Sequence, residues 1–142
     1  MITIRLWHYE LIPYLDKQRL VAQLRECVAI SKSIYEKGTP NHILVNKIMN
    51  YDLSEFRIYC NMVIYEMICN RGYRVNTTTI EKLQDYIDFE IDSTVIENKI
   101  FKGWHNDRYL RQCLYNLQEK YDCGGIYQKE WDIIENKFKE YF

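Results

Sequence analysis

Asp16-Lys17-Gln18-Arg19-Leu20-Val21-Ala22-Gln23-Leu24-Arg25-Glu26-Cys27-Val28-Ala29-Ile30 opens the longest helical pattern in the chain, and its reading decides the fold. The Asp16 carboxylate is suited to cap a helix that runs to about Lys37, where Gly38 is placed to end it. Leu20, Leu24, Cys27, Val28 and Tyr35 recur at helical spacing and are expected to face the core. Gln18, Ala22, Arg25, Glu26, Ala29 and Ser33 fall in the opposite sector, with Arg19 at its edge. The small residues there lower the floor, and the charged side chains stand around it. Glu26 has no cation three or four residues away in either direction, so the usual ion pair along a helix is missing. Arg19 and Glu26 are two turns apart, roughly 10 Å along the axis, and could bracket a group the size of a nucleotide. From spacing alone this face is either an ordinary solvated surface or a working site.

Outward from this helix, helix signals recur and strand signals are scarce. Ile2–Tyr9 reads as extended and is followed by Pro13. Thr39-Pro40 is expected to start a short helix to about Met49. Asp52 with Glu55 has capping-box spacing and opens a helix to about Asn70, stopped by Gly72. Thr78 with Glu81 opens another to about Glu90. A further helix runs from Asp107 through Tyr121 to a stop at Gly124-Gly125, and a last one fills about Gln128–Tyr141. Residues 91–105 receive no assignment. The connections are short, no repeat is evident, and no linker divides residues 1–142. The expected fold is all-α, one domain built as a bundle of five to six helices.

Composition bounds the function classes. Apolar residues make up 47% and charged residues 27% of 142, a globular balance with room for one sizeable core. Nothing near the N-terminus reads as a signal peptide, and no apolar run approaches the ~20 residues that span a bilayer. The expected setting is the cytoplasm. The five cysteines include no CxxC pair and read as free thiols. No His or Cys pair has metal-ligand spacing, so no metal or other cofactor is expected. The net charge of −1 hides an uneven distribution: residues 1–50 carry a balance of +3 and residues 78–100 one of −4. An acidic partner would meet the N-terminal third. His105-Asn106-Asp107 allows a nuclease-like cluster, although helix capping accounts for Asn106 and Asp107. Trp7 and Tyr14 are candidates to stack on bases.

Three stretches, taken in order, resemble a known family. They are Arg5-Leu6-Trp7-His8 with Leu11-Ile12-Pro13 and Leu20 to Glu26; Glu55-Phe56 through Glu66 to Arg71-Gly72-Tyr73 and the threonines at 77–79; and His105 to Tyr121. The pattern is similar to that of the pyrimidine-dimer DNA glycosylases, the phage endonuclease V enzyme and its bacterial relatives. The resemblance implies an endonuclease V-like helical fold and a DNA-repair glycosylase with abasic-site lyase activity, acting on double-stranded DNA with damaged or modified bases. In that family an N-terminal α-amine attacks the sugar C1′ and forms an imine, while a glutamate on the first long helix supplies acid-base and charge-stabilising work. Carried over, the glutamate is Glu26 and the preceding arginine is Arg25. Gln18 matches a DNA-contacting glutamine, and Arg5, Trp7, His8 and Arg19 complete the expected DNA-binding set. Ile2 is bulky, so the methionine is expected to be retained and the amine to belong to Met1. Ala29 stands where the family carries a further arginine. An α-amine with a pKa near ~7.7–8 is partly neutral at cellular pH, which suits it to this attack. The resemblance also implies no membrane partner and a nucleoid-associated or phage-encoded location in the cytoplasm. The alternatives are a non-catalytic DNA- or protein-binding module on the same fold, or a nuclease of modified DNA.

Overall fold

Asp16 begins the first helix in the way its residue type favours: its carboxylate accepts from the Arg19 amide at 3.4 Å and from Arg19 Nη1 at 3.1 Å. The structure, a computed structural model, describes residues 5–91 and 99–142. Among these the elements are α1 (Lys17–Lys37), α2 (Leu53–Tyr65), α3 (Thr77–Ile87), α4 (Asp107–Asp122) and α5 (Gln128–Lys137). Short 3₁₀ segments at Tyr9–Tyr14, Asn46–Asn50 and Lys139–Tyr141 connect or finish them, and no strand occurs among the described residues. The fold is an all-helical bundle.

Helix α1 packs against α2 and α3. Its buried stripe is Leu20, Gln23, Leu24, Cys27, Ile30 and Ser31. It meets Phe56, Tyr59, Cys60 and Val63 of α2, Leu83 and Ile87 of α3, Leu110 to Leu117 of α4, and Trp131 and Ile134 of α5 in one core. Each large side chain of this kind contributes about 1.5–3 kcal/mol through burial. Gly38 ends α1 with φ 74°, a left-handed conformation that costs glycine nothing. Helix α2 continues as a π-turn over Glu66–Asn70 before Gly72, so its expected end near Asn70 holds with a change of winding.

Several local expectations are corrected. Thr39-Pro40 starts no α-helix: Asn41 has φ 55°, the Ser33 hydroxyl donates to the Thr39 and Pro40 carbonyls, and a 3₁₀ turn forms only from Asn46. Glu55 does not close a capping box. Its Oε1 accepts from the Phe101 amide at 2.8 Å, and this ties α2 to the loop before α4. Helix α3 ends at Ile87 because Asp88 turns left-handed, with φ 54°. Tyr35 is exposed and pairs with Tyr86 of α3, since α1 extends past the core there. Tyr9 opens a 3₁₀ turn that holds Pro13, so the extended stretch ends before it. Its first residues, 2–4, lie outside the described residues. All five cysteines are free, three of them buried.

Candidate active site

The segment that enters α1 lies back across it. Gln23, fully buried on α1, accepts from the Trp7 amide through Oε1 and donates from Nε2 to the Arg5 carbonyl, both at 2.9 Å. The Tyr59 hydroxyl donates to the Trp7 carbonyl at 2.6 Å and sits 2.9 Å from Gln23 Oε1. Residues 5–7 are therefore strapped to one face of α1, and Glu26 is part of the strap. Its Oε2 accepts from Gln23 Nε2 at 3.1 Å and from the Arg5 amide at 3.4 Å.

This arrangement forms a cavity of about 290 Å³ lined by Arg5, Trp7, Gln18, Arg19, Ala22, Arg25, Glu26, Asn116 and Lys120. Four cations and one carboxylate stand around it, a local positive excess that the net charge of −1 conceals. Partial burial is the largest influence on the Glu26 carboxyl and raises its pKa above the ordinary value. The Arg5 and Gln23 hydrogen bonds and the Arg25 and Arg5 charges pull the other way. A carboxyl so placed holds a proton more readily than an exposed one, which suits it to proton transfer.

Arg25 lines three cavities at once: this one, a larger groove of about 840 Å³ over the start of α1, and a third of about 310 Å³ toward α3. The larger groove carries Lys17, Gln18, Tyr73 and Tyr127. The third carries Arg74 and Lys82. The three cavities meet at Arg25 on the solvent side of α1; Glu26 lines the cavity of about 290 Å³, and the large groove sets Lys17 and Arg25 against Asp16 and Glu130. Tyr73 reaches it because Glu66, buried in the π-turn, holds Arg71 at 2.8 Å, and Arg71 in turn donates to the Pro13 carbonyl. The Lys17 ammonium lies 5.1 Å from the Tyr73 ring centroid.

Five of the anticipated DNA-binding residues, Arg5, Trp7, Gln18, Arg19 and Arg25, line the cavity together with Glu26. Met1 lies outside the described residues. His8 is 2% exposed, stacked on Tyr9 and His105, and burial lowers its pKa to about 4. Its Nδ1 accepts from the Glu10 amide. Arg19 is largely engaged within the protein, donating to Asp16, Gln18 and the Gly125 carbonyl, the last at 2.6 Å. Tyr14 lines a different cavity, beside Phe138 and Lys137. His105-Asn106-Asp107 is structural: His105 is buried, Asn106 caps α4, and Asp107 accepts from the Tyr141 hydroxyl. Among the described residues no group of three or more His, Cys, Asp or Glu side chains could hold a metal ion.

Three contributors were not among the expected site residues. Gln23 is a polar residue in an apolar stripe, and that mismatch is its signal. Asn116 and Lys120 carry none, because only the packing of α4 brings them to the cavity. A family model described as pyrimidine dimer DNA glycosylase matches residues 4–81, more than half of the chain. The chain belongs to the pyrimidine dimer DNA glycosylase family. No curated protein and no solved structure matches at a significant level. Membership carries the glycosylase type of function, with DNA containing pyrimidine dimers as the substrate class. In this glycosylase the matched residues hold the strap, Glu26 and the arginines, while Asn116 and Lys120 complete the pocket from outside the matched span.

Proposed function

We propose that this protein is a DNA-repair glycosylase with abasic-site lyase activity, working through an imine between a protein amine and C1′ of the damaged nucleotide. The observation that carries this reading is the half-buried Glu26 carboxyl, hydrogen-bonded to the entering strap and ringed by cations. Lys17 and Arg25 of the large groove and Arg74 and Lys82 of the third cavity would hold DNA phosphates by charge-assisted hydrogen bonds. Unstacking a lesion costs less than unstacking an intact pair, so the pocket would favour damaged sites. The Glu26 carboxyl donates a proton as water leaves the carbinolamine, and as carboxylate it stabilises positive charge on the sugar. Following the family chemistry, the nucleophile is the α-amine at Met1, four residues upstream of Arg5 in the sequence. Arg5, Trp7, Gln18 and Arg25 contact the DNA. The reaction uses no cofactor and takes place in the cytoplasm, where its DNA is; among the described residues no helix is long and apolar enough to cross a membrane.

The test is a duplex carrying a single cyclobutane dimer and a second carrying an abasic site. Strand cleavage of both supports the reading. Gel retardation of both without cleavage overturns it in favour of a DNA-binding module.

A further inference from the structure

We propose that Gln23 is the positioning residue of this site. By donating to Glu26 Oε2 it reserves Oε1 for the proton that is moved, and by donating to the Arg5 carbonyl it ties the acid to the segment that leads back to Met1. The inference rests on the lyase reading above and deepens it.

The orientation of the Gln23 amide is dictated by its partners. The Trp7 N–H can only donate and the Arg5 carbonyl can only accept, so Oε1 faces the first and Nε2 the second, both at 2.9 Å. One Nε2 hydrogen serves the Arg5 carbonyl, and the other is left for Glu26 Oε2 at 3.1 Å. Gln23 is fully buried, so water does not compete for either hydrogen.

Glu26 Oε2 also accepts from the Arg5 amide at 3.4 Å. Two N–H groups converge on this one oxygen and leave no room for a proton on it. Oε1 receives no hydrogen bond from a described residue, yet it is not closed off from solvent. A protonated Glu26 therefore carries its hydrogen on Oε1. The charged and titratable groups around the carboxyl are Arg5 of the strap, Arg19, Arg25 and Cys27 of α1, and Lys120 of α4. Among the described residues none of these side chains forms an ion pair with Glu26 within 4.0 Å. Two neutral donors, the Gln23 side chain and the Arg5 backbone, are what hold the acid in place. A donor to the charged form favours the carboxylate, so losing Gln23 lets the Glu26 carboxyl keep its proton to higher pH.

The full-length protein is compared with Gln23→Leu and Gln23→Glu in single turnovers on an abasic-site duplex across a pH series. The rate of the bound complex is expected to fall about tenfold or more, because the acid is misplaced. The acid limb of the profile moves up by about 1 pH unit, while affinity for the duplex is unchanged. Folded variants with the parent's rate and profile, or a loss confined to affinity, overturn the inference and leave the lyase reading standing. Should neither variant fold, the isotope-labelled side-chain amide of the parent decides by NMR. A Gln23 Nε2 proton is expected to shift as Glu26 titrates and to stop shifting in Glu26→Gln. A resonance indifferent to pH, or one that still shifts in Glu26→Gln, overturns the inference. A parent inactive on the duplex overturns the lyase reading and, with it, the role of Gln23.

Discussion

Gln23 Nε2 donates to Glu26 Oε2 at 3.1 Å, one turn along the same helix, and the same amide holds the backbone of Arg5 and Trp7. A single buried side chain thus orients the acid and anchors the segment that closes over it. Gln23→Ala leaves the Trp7 amide and Arg5 carbonyl without this partner, at a cost of about 2–4 kcal/mol. Thermal melting checks the cost, and lyase activity falls with it.

Glu26→Gln keeps the shape of the pocket and removes the proton donor. The rate of cleavage at an abasic site drops about 10²- to 10⁴-fold, measured under single-turnover conditions. Stability moves the other way. The folded pKa of Glu26 lies above its unfolded value, so the folded state binds more protons and loses stability as pH rises through that window. At pH 7 the glutamine variant therefore melts no lower than the parent.

Arg25→Ala removes the cation common to three cavities. DNA affinity weakens on damaged and undamaged duplex alike, and the slope of log affinity against log salt falls by about 1. A titration by fluorescence anisotropy at several salt concentrations reads both.

His8 and His105 are stacked 5.1 Å apart, and burial lowers their pKa values to about 4 and about 2. Below pH ~6.5 the unfolded chain takes up two protons that the folded chain refuses. Stability is full above that pH and is lost on acidification, by about 2.7 kcal/mol per pH unit between about 6 and 5. His105→Gln halves this slope to about 1.4 kcal/mol per pH unit. Denaturant midpoints across the window measure it.

Gly125→Ala places a Cβ 3.1 Å from the Lys120 carbonyl oxygen and 3.2 Å from Arg19 Nη2. The first neighbour is backbone and cannot swing aside, so the cost is about 1–3 kcal/mol, read by thermal melting.

Local chemistry made most of the helices legible. Asp16, Asn106 and Gly38 act through their own side chain or their lack of one, so their roles needed no knowledge of the fold. Thr39-Pro40 misled because Asn41 takes a left-handed turn that composition does not announce. Glu55 satisfies the spacing of a capping box yet bonds a backbone amide 46 positions away, a tertiary choice invisible along one helix. Within the candidate site, the α1 face was readable because one helix holds it. The burial of His8 was not legible, because an imidazole in a charged, aromatic run reads as exposed, whereas three aromatic neighbours enclose it. Asn116 and Lys120 were unreadable for the converse reason: nothing in their own stretch of sequence announces that α4 brings them to the cavity.

The far wall of the pocket stands on α4, well past the span shared with the family. Exchanging Asn116 or its neighbours would reshape the space offered to an extruded base while leaving the acid, the strap and the arginines of α1 untouched.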